Sequence, residues 1–182
     1  MSIRSPDHVF DELLVMQYKA GDQKAMKLLI KRWNKKILVY AYRNIHNHEG
    51  AQDVAQEVWL AALKGMNQLN DHVKIGSWLL SIAHNKSMDW LRQNKINQEN
   101  INVSTADLSS ENHSRDEDLR VMRRAMQELS IDHRNILSLF YLEGYTILEV
   151  AAILDTSKGT VKSRLFYARE SLKKQIKNYN HE

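Results

Sequence analysis

YTILEVAAILDTSKGTVKSRLFYARESLKK, residues 145–174, is the stretch whose reading decides the fold. Thr146 and Glu149 fit a T-x-x-E capping box, in which the two residues satisfy each other's first-turn backbone donors. The helix they start carries Val150, Ala151 and Leu154 on one face, and Ala151 is small where a second helix must cross closely. Asp155 falls at the turn, and aspartate tolerates a left-handed backbone better than most side chains. Ser157 is placed to cap the next helix. Val161, Leu165, Ala168 and Leu172 then recur at i, i+4, i+7 and i+11, a stripe that buries one side. Cap, small residue, turn and second cap agree in register, which predicts a helix-turn-helix. Lys158, Thr160, Lys162, Ser163, Phe166, Tyr167 and Arg169 lie off the stripe, with Arg164 at its margin. A recognition helix uses its N-terminal residues on base edges. Lysine suits guanine acceptors, serine is permissive, and an aromatic ring can touch a thymine methyl. A solvated basic face is the other reading of such a helix; the agreement in register favours DNA.

One such helix needs far less than 182 residues. A chain of this length with 43% hydrophobic residues can hold one large or two small domains. A single Pro and six Gly leave little punctuation for hairpins, so an all-α fold is predicted. Cysteine is absent, which excludes disulfides, Cys-ligated zinc and thiol catalysis and suits a reducing cytoplasm. The chain has no apolar run of the ~18 residues a membrane span needs. MSIRSPDHVFDELL at the N-terminus has acidic residues and no apolar core, unlike a signal peptide. A cytoplasmic location is expected. Charge is unevenly spread: residues 1–95 carry 14 Lys/Arg and 9 Asp/Glu, residues 96–118 carry 1 and 6, and residues 119–182 carry 11 and 7. Two basic lobes flanking an acidic connector suit a polyanionic partner.

Ser5, Pro6 and Asp7 open a first helix well, and Gly21 can end it. Asp22 can cap a second helix that reaches about His46, with Met26, Leu29, Trp33, Ile37, Tyr40 and Ala41 as its stripe. Further helices are expected over residues 51–67 and 77–94. Residues 96–118, INQENINVSTADLSSENHSRDED, have no sustained apolar period and read as a flexible acidic linker. Val121, Met122, Ala125, Met126 and Leu129 fit one helix of a second lobe; Ser130 caps another, with Ile136, Leu137 and Phe140 inside and Gly144 at its end. The expected organisation is a helical domain over 1–95, a linker over 96–118 and a helix-turn-helix domain over 119–182.

In the first lobe, Asp53, Gln56, Glu57 and Leu60 share one face, apart from an apolar stripe of Ala55, Trp59 and Ala62. An acidic, amide-bearing face with one exposed leucine suits a basic protein surface rather than DNA. Asn85, Asp89 and Arg92 share another face with Lys86 beside them, while Trp78, Leu79, Ile82, Ala83 and Trp90 supply bulk. That polar face can bind a nucleic-acid strand or form a structural network between helices. His46–Asn47–His48–Glu49 is a weak metal signal, lacking a second ligand set. With no P-loop, nucleophile elbow or Gly-rich fingerprint, no catalytic residue, metal or cofactor is expected.

Taken together, these motifs resemble an extracytoplasmic-function (ECF) sigma factor of bacterial RNA polymerase, group IV of the sigma-70 superfamily. DVAQEVWLAAL is similar to the region 2 helix that docks on the polymerase β′ clamp. SWLLSIAHNKSMDWLR is similar to the segment that recognises and melts the minus-ten element, and LEGYTILEVAAILDTSKGTVKSRLFYARESL to region 4, which reads the minus-thirty-five element. The resemblance implies that Asp53, Gln56, Glu57 and Leu60 contact core polymerase. It assigns the minus-ten element to Asn85, Lys86, Asp89 and Arg92, with the loop NQLNDHVKIG holding an unpaired base. Lys158, Lys162, Ser163, Phe166 and Tyr167 would face the upstream element, and Thr160, Arg164 and Arg169 its phosphates. The implied partners are core RNA polymerase, through its β′ clamp and β flap, promoter DNA and an anti-sigma factor; no small-molecule substrate or membrane insertion is implied. The loop before Trp78 often carries phenylalanines in this family, whereas here Leu69 and Ile75 stand nearby; Tyr167 stands where the family often has arginine. A stand-alone helix-turn-helix regulator is the alternative; it would bind duplex DNA without polymerase, usually as a dimer on a palindrome.

Overall fold

The computed structural model describes residues 6–69, 71, 74–95 and 115–179, and all regular structure among them is helical. Residues 6–69, 71 and 74–95 group in one compact unit, and residues 115–151 and 156–179 in another, whose two stretches residues 152–155 connect along the chain.

In the first unit, α1 (Pro6–Lys19), α2 (Gln23–Ile45), α3 (His48–Gly65) and α4 (Ile75–Lys95) form a bundle, with a short 3-10 turn Met66–Gln68 after α3. Local chemistry sets the boundaries. Gly21 takes φ +104°, a backbone region open to glycine, and ends α1. The Asp22 carboxylate accepts from the Lys24 N–H at 2.8 Å and caps α2. His46, at φ 51°, turns the chain out of α2, and the Asn47 side chain accepts from the Gly50 N–H at 2.7 Å to start α3. That cap places the start of α3 earlier than the residue 51 expected from periodicity, because the first turn, His48 to Gly50, is polar on its open side. The rings of His46 and His48 both lie against Tyr42, so this segment does packing and capping work.

α2, α3 and α4 pack against one another in every pairing, and α1 lies chiefly on α2. Leu29, Trp33, Ile37 and Ala41 of α2 meet Val54, Val58 and Ala62 of α3 and Leu79, Leu80 and Ala83 of α4 in a buried core. Two glycines let the tryptophans of α4 approach α3. A Cβ on Gly50 would lie 2.5 Å from the Trp90 ring, and one on Gly65 3.0 Å from Trp78. The remaining indoles are tied by polar contacts. Buried Asp11 accepts from Trp33 Nε1 at 3.1 Å and from Arg32 Nε at 2.7 Å, and Asn34 accepts from Trp59 Nε1 at 2.9 Å. Tyr40 shares a 3.1 Å hydrogen bond with His84 Nδ1, and its burial pushes the phenol pKa well above the ordinary tyrosine value.

The second unit comprises α5 (Arg115–Gln127), α6 (Ile131–Leu137), a wide π turn over Ser138–Leu142, α7 (Ile147–Ile153) and α8 (Lys158–Tyr179). Its core is Ala125, Leu129, Ile136, Leu137, Leu139, Val150, Ile153, Val161, Leu165 and Ala168. α8 packs on α5 and α6, and Tyr179 donates to the Glu128 carboxylate near the end of that contact. Ser130 caps α6, as its sequence position predicts. The π turn, closed by Glu143 N–H to Ser138 C=O at 3.0 Å, shifts the helical phase by one residue. Leu139 is thereby fully buried and Phe140, expected inside, is half-buried. Three further expectations are corrected. Met122 is exposed, Ile153 rather than Leu154 is the buried end of α7, and Leu172 is half-buried. α5 begins at Arg115, inside the stretch expected to be linker, because a polar first turn offers no apolar position for periodicity to catch. Ser5 and linker residues 96–114 lie outside the described residues. Among the described residues, no helix is long and apolar enough to cross a membrane.

Candidate nucleic-acid and protein interfaces

The turn between α7 and α8 is built as its residue types require. Thr146 N–H donates to Glu149 Oε2 at 2.8 Å while Glu149 N–H donates to Thr146 Oγ1 at 3.3 Å, a reciprocal capping box. Asp155 takes φ 47°, the left-handed conformation assigned to it from sequence. Thr160 N–H donates to Ser157 Oγ at 3.1 Å, capping α8. With Val161, Leu165 and Ala168 buried, helical geometry forces Lys158, Lys162, Ser163, Phe166, Tyr167 and Arg169 to the open side.

The open side has internal order. Phe166 and Tyr167 are 54% and 62% exposed, with rings edge to face at 5.4 Å. Exposing two adjacent aromatic rings is unfavourable in water, which marks a surface that meets a partner. Lys158 opens α8, where a cation opposes the helix dipole at a cost of about 0.3–1 kcal/mol. A locally unfavourable residue of that kind is what a functional position carries. Ser163 Oγ donates to Thr160 C=O at 3.0 Å, leaving its lone pairs outward. Three of the expected residues are already engaged. Thr160 is half-buried with its hydroxyl 2.8 Å from Ser157 Oγ, Arg164 reaches Asp132 at 3.5 Å, and Arg169 donates to Tyr141 Oη at 3.4 Å.

On α3, Asp53, Gln56, Glu57 and Leu60 are all exposed along one face, Leu60 by 58%. Ala55, Trp59 and Ala62 point into the bundle. On α4, Asn85 and Arg92 are exposed and Lys86 and Asp89 half-exposed. The two faces were expected to serve separate partners, yet they touch. Lys86 Nζ lies 2.8 Å from Glu57 Oε2, and Arg92 lies 2.8 Å from Asp89 Oδ1. The hydrogen bond that Lys86 donates to the Glu57 carboxylate raises the Lys86 pKa, partly opposed by burial and assisted by the charges of Glu57 and Asp89. Trp78 and Trp90 seat against α3, so they serve the bundle. Ile75 is buried and Leu69 half-buried, while residues 70, 72 and 73 of the expected base-holding loop lie outside the described residues.

Sequence reasoning missed Tyr141, Leu142 and Leu148, which are large, apolar and exposed in the second unit. The π turn rotates the first two outward, and no local signal announces it.

A family model for sigma-70 region 2 matches residues 29–96, and one for sigma-70, region 4 matches residues 119–172. The chain is 30% identical over 184 residues to the ECF RNA polymerase sigma-E factor of Escherichia coli K12, covering 93% of this chain and 96% of that one. It is 29% identical over 180 residues to the RNA polymerase sigma-H factor of Pseudomonas aeruginosa, covering 91% and 93%. Two solved structures share its fold at 22% identity. The sigma factor RpoE in complex with the anti-sigma factor NepR from Bartonella quintana gives a TM-score of 0.71 over 85% of this chain and 98% of that one. CnrH in complex with the cytosolic domain of CnrY gives 0.68 over 93% and 98%.

Proposed function

The chain belongs to the ECF sigma factors of bacterial RNA polymerase, and on that premise we propose how its two units divide the work of starting transcription. As a sigma factor it directs RNA polymerase to promoters. The first unit docks core polymerase through Asp53, Gln56, Glu57 and Leu60 on α3, against the β′ clamp, and holds the minus-ten element through Asn85, Lys86, Asp89 and Arg92 on α4. The second unit reads the minus-thirty-five element with Lys158, Lys162, Ser163, Phe166 and Tyr167. Thr160, Arg164 and Arg169 hold phosphates, which fix register without reading sequence, and the β flap holds this unit to the enzyme. An anti-sigma factor covers these surfaces when the chain is idle; the similar RpoE of Bartonella quintana is itself found in complex with an anti-sigma factor, NepR. In this reading the chain acts by binding.

One observation carries this division: the chain exposes two faces of opposite character. The α3 face is acidic with a protruding leucine, and the α8 face is basic and aromatic. Phosphates repel the first and attract the second. The test is to mix the purified chain with core polymerase and measure promoter-dependent run-off transcription on genomic fragments. Transcripts should appear only with both components. A chain that binds duplex DNA alone and ignores core polymerase would instead be a stand-alone regulator.

A further inference from the structure

We infer that Glu57 holds Lys86 away from DNA in the free chain, and that docking on polymerase, by drawing Glu57 to the enzyme, releases Lys86 to the promoter strand. This inference rests on the assignment of α3 to polymerase and α4 to DNA under Proposed function.

The geometry is specific. Lys86 Nζ and Glu57 Oε2 are 2.8 Å apart across the α3–α4 interface, with the lysine side chain 35% exposed and the glutamate 57% exposed. Both are thus reachable by outside partners. Glu57 stands one turn from Asp53 and beside Gln56, in the middle of the acidic face. Lys86 stands beside Asn85 and one turn from Asp89. The neighbouring cation, Arg92, is itself paired with Asp89 at 2.8 Å. Both cations of the α4 face are therefore neutralised by carboxylates in the free chain. A phosphate approaching Lys86 must displace a carboxylate that already holds the ammonium. A basic polymerase surface approaching Glu57 displaces the ammonium instead. One bond cannot serve both, so occupying one side favours the other, and the coupling is reciprocal.

An exposed ion pair favours its closed form over the open one by a factor of about 1.4 to 5. If only the open form offers its ammonium to DNA, affinity is reduced by one plus that factor, about two- to sixfold. That is enough to bias an early collision and too little to block a docked complex, which suits a device acting before the polymerase is engaged.

The test uses the full chain, a fluorescein-labelled single-stranded DNA of mixed sequence, and anisotropy over a salt series. Glu57→Gln should tighten DNA binding by the free chain about two- to sixfold at low salt, and the gain should shrink as added salt screens the exposed ion pair. Asp53→Asn removes the same charge from the same face, and Asp53 has no ion pair among the described residues. It reports the generic effect of charge and should give the smaller gain. In a Lys86→Met background the extra gain from Glu57→Gln should vanish. With saturating core polymerase the advantage of Glu57→Gln should also vanish, because docking has already taken Glu57 away. Equal gains from Glu57→Gln and Asp53→Asn, or a gain that survives Lys86→Met, overturn the coupling alone. If Lys86→Met leaves promoter binding by the holoenzyme unchanged, the assignment of Lys86 to DNA is itself wrong, and the coupling falls with it.

Discussion

Replacing Gly50 by alanine tests the packing that positions α4 on α3. A Cβ there would sit 2.5 Å from Cζ2, 2.6 Å from Cε2 and 2.8 Å from Nε1 of Trp90. These atoms belong to one rigid ring, so the indole must move as a body. Two terms oppose each other. Alanine in place of glycine gains up to about 1 kcal/mol of helix propensity. Overpacking costs about 1–3 kcal/mol. The expected result is a net loss of about 1 kcal/mol from the first unit, within a range of roughly 0–2. Urea denaturation followed by tryptophan fluorescence measures it. All four tryptophans, Trp33, Trp59, Trp78 and Trp90, lie in the first unit, so the signal is blind to the second. With a urea m-value of about 1 kcal/mol/M, expected for a domain this small, the midpoint falls by about 1 M. Gly65→Ala is the internal comparison. Its Cβ would meet Trp78 at 3.0 and 3.6 Å, a contact that a small shift relieves, so this variant should lie closer to wild type. In a Trp90→Phe background the loss from Gly50→Ala should shrink, since the two sites share one contact. A Gly50→Ala midpoint above wild type would mean that propensity acts unopposed, and would refute the seating of Trp90 on α3.

Lys162→Ala should change preference at one position of the upstream element by about 1–3 kcal/mol while core binding is unchanged, as read by run-off transcription on a promoter library and by polymerase pull-down. Asp53→Ala combined with Glu57→Ala should weaken core binding and leave upstream-element reading intact, scored in the same two assays; DNA preference altered in both sets of variants would contradict the division of labour. Asp155→Val should destabilise the second unit by about 1–2 kcal/mol, because a β-branched residue resists the left-handed turn. Far-UV circular dichroism, with tryptophan fluorescence to subtract the first unit, reads that loss. Ser157→Ala should cost about 1 kcal/mol through the lost cap on α8 and should weaken upstream DNA binding only to that extent.

The helix-turn-helix was legible in the sequence because every signal it needs is local. Thr146 and Glu149 are one turn apart, Asp155 is one backbone angle, and Ser157 caps a helix whose stripe follows at once. The exposed faces of α3 and α8 were legible for the same reason, since a helical period separates inner from outer residues on a single helix. Such a period does not say which outer residues on different helices meet. Lys86 and Glu57 therefore appeared as members of two separate sites, and the place of Trp90 over Gly50 was invisible. Asp11, buried between Arg32 and Trp33, has partners more than 20 residues away that no local signal announces. The start of α3 was placed late because the turn that Asn47 caps, His48 to Gly50, offers no large apolar residue for a helical period to catch.

The wide turn over Ser138–Leu142 has an evolutionary corollary. Its bond spans five residues where an α-helix spans four, so the chain there carries one residue more than a regular helix needs. A relative lacking one residue at this point closes the turn to α geometry and keeps the cap at Ser130 and the capping box at Thr146. The helical residues after that point are turned by about 100° around the axis relative to those before it. Alignments across the family therefore need freedom to open a single gap here. The residues standing in for Tyr141 and Leu142 are then better compared by their position around the helix than by their column.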